Sequence, residues 1–151
     1  MQLQLVSYDS QPSRPGPLQK WRLRRVVEYV DSHLGERIML SDLAAAAGLT
    51  RMHFAAQFRV AMGIRPHHYV LRRRIDHACA LLRDPELPLV EVALAVGFQT
   101  QAHFTTVFKR YVGATPHRWR RCEAALLGEP MRKAANFALE HARAPISAAN
   151  G

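Results

Sequence analysis

From Leu18 onward apolar residues recur at intervals of three and four, with charged residues between them, and that period predicts helices along most of the chain. Trp21, Leu23, Val26, Val27, Val30 and Leu34 mark a first amphipathic helix ending at Gly35. Ser41 is placed to cap a short helix with Leu43, Ala44 and Ala47 turned inward and Gly48 as its C-terminal turn. Thr50 caps the next, on which Phe54, Phe58 and Met62 recur every four residues while Arg51, Met52, Ala55, Ala56 and Arg59 fall on the opposite side. Pro66 suits the first turn of a longer helix running to about Arg83, with Leu71, Ile75, Ala78, Cys79 and Leu82 as its apolar stripe, and Asp84-Pro85 stops it. Val92, Ala93 and Val96 begin a short helix closed by Gly97. Thr100 caps one whose core positions are Phe104, Phe108 and either Tyr111 or Val112, and Gly113 ends it. Thr115-Pro116 opens a last helix with Trp119 and Leu126. Residues 1–17, with Pro12, Pro15, Gly16 and Pro17, read as a flexible arm, and residues 129–151 as an Ala-rich, weakly patterned tail. The pattern is all-α.

The same pattern occurs twice. His53, Phe54, Phe58, Gly63, Pro66, His67 and Tyr69 lie 50 residues before His103, Phe104, Phe108, Gly113, Pro116, His117 and Trp119. Leu43, Ala44 and Gly48 precede Val92, Ala93 and Gly97 by 49, and the turn absorbs the difference, Gly48-Leu49-Thr50 becoming Gly97-Phe98-Gln99-Thr100. Small residues that let two helices cross closely, a glycine that turns the chain and aromatics that anchor the second helix from beneath are the chemistry of a helix-turn-helix. Its second helix protrudes with the N-terminal turn outward, as entry into a DNA major groove requires. The intervening helix, about 25 Å long at 1.5 Å per residue, is of a length that could hold two such helices about 34 Å apart, one turn of B-DNA.

Charge supports the same partner. The chain of 151 residues is long enough for one domain or two very small ones, and its 48% hydrophobic and 22% charged residues fit a packed protein. Its net charge of +9 is concentrated between Leu18 and Arg121, which carry 17 basic and eight acidic residues. Such a field favours polyanions. The N-terminus does not read as a secretory signal, and the longest uncharged stretch, from Val92 to Phe108, is broken by Gly97, Gln99, Thr100, Gln101 and His103, so no membrane span is expected. Cys79 and Cys122 are too few for a disulfide framework, and a cytoplasmic protein with free thiols is expected. The eight histidines lack zinc-ligand spacing, and no phosphate loop, nucleophile elbow or acid dyad can be placed. Neither a metal, a cofactor nor catalysis is expected.

Gly48-Leu49-Thr50-Arg51-Met52-His53-Phe54 with Phe58, Gly63 and Pro66 resembles the first helix-turn-helix of the AraC/XylS family of bacterial transcription regulators. Gly97-Phe98-Gln99-Thr100-Gln101-Ala102-His103-Phe104 with Phe108-Lys109-Arg110, Gly113, Thr115-Pro116 and Arg120 resembles the second. The resemblance spans about residues 18–122 and implies a seven-helix unit: two homeodomain-like subdomains joined by a long linker helix, with the first helix-turn-helix at about 41–62, the linker at 66–83 and the second at 90–112. It implies a sequence-specific activator that reads two adjacent major grooves of promoter DNA as a monomer and contacts RNA polymerase. Only about 17 residues precede the first helix, so the sensory domain many members carry is expected to be absent.

On the first reading helix, Arg51, Met52, Ala55 and Ala56 are the candidates for base edges; on the second, Gln101, Ala102, Thr105 and Thr106. Arg51 suits guanine, Gln101 suits adenine, and the alanine and threonine methyls can pack on thymine methyls. Ala55-Ala56 and Thr105-Thr106 stand where relatives often have Arg or Gln, which shifts readout toward apolar contact and DNA shape. Thr50, Arg59, Arg73, Thr100, Lys109 and Arg110 are the phosphate candidates. The run Arg72-Arg73-Arg74 reads equally as a solvated face with internal ion pairs to Asp76 or another carboxylate. A protein-binding adaptor and a nonspecific architectural protein are the rival functions.

Overall fold

The computed structural model describes residues 14–125, and over them the chain forms seven helices and no strand. They are α1 (Lys20–Ser32), α2 (Leu40–Ala47), α3 (Arg51–Met62), α4 (Pro66–Leu81), α5 (Leu89–Ala95), α6 (Gln101–Val112) and α7 (Pro116–Ala124). The all-α architecture is the one the apolar periodicity predicts, and the turn chemistry accounts for its joints. Thr50, Thr100 and Thr115 each accept a backbone N–H at the start of α3, α6 and α7, at 3.4, 3.1 and 3.2 Å. Gly63 and Gly113 end α3 and α6 at φ of +71° and +87°, where a side chain would be strained.

Two apolar cores divide the molecule. One joins α1, α2 and α3 to the start of α4, down to Tyr69 and Val70. The other begins at the next residue, Leu71, and joins the rest of α4 to α5, α6 and α7. A single helix therefore serves as the last element of one unit and the first of the other. The duplication extends to side-chain geometry. Phe54 and Phe58 lie 5.4 Å apart and Phe104 and Phe108 5.6 Å; Tyr69 meets Phe58 edge-on at 5.6 Å, as Trp119 meets Phe108 at 6.2 Å. Arg22 of α1 donates to the carbonyls of Ala47 and Gly48, and Arg74 of α4 donates to the carbonyl of Gly97. Each guanidinium thus holds the turn of its own unit.

Several expectations need correction. Trp21 is half exposed rather than on the buried stripe; it lies in the first turn of α1, its indole N–H donating to Gln19 and the Arg22 guanidinium lying over its ring. The buried stripe of α1 begins at Leu23. Ser41 lies inside α2, which starts one residue earlier, and the Asp42 carboxylate accepts the Met39 N–H at 2.8 Å in its place. α1 ends at Ser32, so Gly35 is not its terminator. A Cβ on Gly35 would stand 2.9 Å from the Ala95 carbonyl oxygen, and the absence of a side chain there allows the two units to close on each other. Of the paired alternatives, Val112 is buried and Tyr111 only partly so. Leu126, the tail and most of the arm lie outside the described residues.

Candidate nucleic-acid interface

Burying Phe54, Phe58 and Met62 leaves the other side of α3 outward: Arg51 and Met52 are exposed, Ala55 and Ala56 partly so, and Arg59 exposed. Met52 is 81% exposed, an unusual position for a thioether side chain with no partner to cover it. On α6 the buried set is Phe104, Val107, Phe108 and Val112, which leaves Gln101, Ala102, Thr106, Lys109 and Arg110 exposed and Thr105 partly so. The Thr106 hydroxyl donates back to the Ala102 carbonyl at 3.1 Å. Both helices present the predicted residues away from their cores, with the Thr50 and Thr100 caps at their outward ends.

Two concavities lie beside these helices, one against each. One, of about 580 Å³, is bounded by Met52, Ala55, Ala56 and Arg59 of α3, by Leu40 and Leu43 of α2, and by the start of α4. The other, of about 610 Å³, is bounded by the turn after α1, by α4, and by Gln99 and His103 at the start of α6. Ile38, His67 and Val70 line both. The two depressions therefore adjoin at the first turns of α4, the one bordered by α3 more apolar and the one bordered by α6 more polar.

The arginine run is engaged within the protein. Arg72 lies over the Tyr111 ring at 5.9 Å, tying α4 to α6. Arg73 donates to Asp31 of α1 at 2.8 Å and stands 3.8 Å from Asp76, its expected partner. The Asp31 bond raises Arg73 above the ordinary guanidinium value despite the opposing effect of its burial. Arg74 bridges the two units, donating to Glu36 at 2.7 Å and Gly97 at 3.1 Å through their carbonyls. Arg73, a phosphate candidate on sequence grounds, already has this carboxylate partner, so it is left out of the set proposed below. Arg37, Arg65 and His67, which line the two depressions, were not among the DNA-contact candidates read from the sequence. Arg65 and His67 stand two residues apart at the start of α4 and Arg37 lies in the turn after α1, so tertiary closure brings the two segments together.

Burial pushes the Cys79 thiol up to about 12, which suits a small packed side chain and not a nucleophile. Among the described residues no cluster of His, Cys, Asp and Glu could hold a metal ion. No described helix is long and apolar enough to cross a membrane.

Comparison with known proteins agrees with this geometry. Residues 43–122 match the family described as helix-turn-helix domain. The chain is 39% identical over 92 residues to the probable transcriptional regulator LumQ of Photobacterium leiognathi, covering 61% of this chain and 37% of LumQ. It is 31% identical over 98 residues to the transcriptional activator AarP of Providencia stuartii, covering 65% of this chain and 73% of AarP. Among solved structures, the DNA-binding domain of the global transcriptional factor AdpA in complex with a target DNA matches at a TM-score of 0.66 and 29% identity, covering 72% of this chain and 97% of that one. The chain thus spans little more than a third of LumQ and most of AarP. With a duplicated helix-turn-helix, outward reading helices and these relatives, the chain belongs to the AraC/XylS family of DNA-binding transcription regulators.

Proposed function

We propose that the chain is a cytoplasmic, sequence-specific activator that binds promoter DNA as a monomer, laying α3 and α6 into adjacent major grooves of one duplex. The observation that carries this reading is the duplication: α3 and α6 each turn their reading residues away from their own core, and the two cores share one helix, α4. Arg51, Met52, Ala55 and Ala56 then face bases in one groove and Gln101, Ala102, Thr105 and Thr106 in the next, with Thr50, Arg59, Thr100, Lys109 and Arg110 toward phosphates. A contact with RNA polymerase, supported by the likeness to the activator AarP, would convert binding into activation. This role requires no catalytic group or cofactor.

The test is recovery of bound fragments from genomic DNA, followed by anisotropy titration of the recovered duplex against random competitor. Sequence-selective retention supports the proposal. Indifferent retention would mark an architectural protein, and no retention an adaptor that binds protein instead. Replacing Arg51 or Gln101 by alanine is expected to relax selectivity at one groove each, by about 1–3 kcal/mol at the contacted base. Transcription in vitro from a promoter bearing the duplex, with and without the protein, reads the sign of regulation.

A further inference from the structure

The depression bordered by α6 is a basic cleft. Arg74 lines it, with both terminal nitrogens donating to carbonyl oxygens, of Glu36 and Gly97, and not to a carboxylate. Carbonyl oxygens take up the two terminal nitrogens; among the described residues the buried Nε has no hydrogen-bond partner, and no carboxylate bonds to the guanidinium to offset its charge. Arg37 from the turn after α1, His67 from α4, and Gln99 and His103 at the start of α6 line it as well. Glu36 supplies the only carboxylate among the residues lining the cleft. The depression is bordered by α6, the helix that carries the second set of reading residues.

We propose that a backbone phosphate of the bound duplex seats in this cleft against His67 and His103, and that seating it makes DNA binding take up a proton at His67. The proposal rests on the two-groove reading. The groups facing His67 are Glu36 and Arg37 from the turn after α1, Arg59 from α3, Arg65 just before α4, His68 and Arg74 from α4 itself, and His103 from α6. All but Glu36 are cationic or can become so. Burial, followed by His68, Arg74 and His103, lowers His67 below the ordinary histidine value in the free protein. An arriving phosphate reverses the sign of that environment, because an opposite charge in contact favours the imidazolium. Since His67 then titrates higher in the complex than in the free protein, affinity increases as pH falls through the bound-state value and levels off below the free-state value.

The test uses the full chain and the duplex recovered by fragment selection, at constant ionic strength, from pH 8 to pH 5.5. Wild-type Kd is expected to fall by about threefold or more over that range, within the ceiling of about tenfold per pH unit for one proton. His67→Gln is expected to lose most of the gain at low pH relative to its own affinity at pH 8. His77→Gln, exposed on the far half of α4 and outside the cleft, should keep the wild-type slope. Calorimetry in two buffers of different ionisation enthalpy counts the protons directly and should show an uptake that His67→Gln diminishes. Selective binding with no pH dependence, or a His67→Gln slope equal to that of wild type, overturns the phosphate seat while leaving the two-groove reading intact. Failure of the wild-type chain to retain any duplex overturns both.

Discussion

At the scale of single residues, neighbouring side chains of one type do different work. Arg72, Arg73 and Arg74 follow one another in sequence, yet the helical rotation of about 100° per residue sends them to Tyr111, to Asp31 and to the seam between the units. The glycines diverge in the same way. Gly63 and Gly97 both adopt positive φ, but a Cβ on Gly63 meets nothing within 4 Å, whereas on Gly97 it would stand 2.4 Å from the Leu34 carbonyl oxygen and 2.8 Å from the Arg74 guanidinium. Gly63→Ala should therefore cost only the left-handed backbone strain, about 1–2 kcal/mol. Gly97→Ala should cost distinctly more, because backbone cannot yield as a flexible side chain can; urea midpoints of the two variants measure the difference. Cys79 gives a further expectation. With its thiol raised to about 12, it should react with a disulfide reagent at pH 8 far more slowly in the folded chain than after unfolding, a contrast that absorbance at a few reagent concentrations would reveal.

At the scale of elements, the helix starts and stops were legible because they depend on local chemistry. Threonine caps, prolines in first turns and left-handed glycines act within a few residues, so their sequence spacing predicts α3, α6 and α7. Replacing Thr100 by alanine removes the acceptor for the His103 N–H and is expected to cost about 0.5–2 kcal/mol, read as a lowered Tm. Phe108→Ala, which empties a fully buried site between Phe104 and Trp119, should cost about 3–5 kcal/mol and abolish DNA binding by unfolding the second unit. The misplaced elements were those whose ends depend on distant partners. Ser41 is a good cap by type, but Asp42 captured the Met39 N–H instead, and Gly35 resembles a helix terminator until the proximity of Ala95 is seen.

At the scale of the whole molecule, the proposed role depends on two probes held rigidly with respect to each other. If about seven basic side chains neutralise phosphates, log K should fall against log salt with a slope near −6, measurable by anisotropy between 50 and 200 mM salt. Inserting about five base pairs between the two half-sites turns one groove to the opposite face of the duplex, and binding should fall to the level of a single half-site. Arg74→Leu removes the bonds to Glu36 and Gly97, and should weaken binding to the full site more than to either half-site, since it loosens the seam and leaves both cores intact.

Sequence by itself determined the all-α class, the duplication and the outward residues of α3 and α6, because helical period, caps and the repeat interval are carried by neighbours along the chain. Only tertiary structure decided which positive charges are engaged within the protein, how α4 is shared between two cores from Val70 to Leu71, and that His67, Arg37 and His103 line one cleft. Those properties arise from the closure of one unit on the other, which juxtaposes groups separated by tens of residues, and no local pattern encodes the partner that a charged side chain will find.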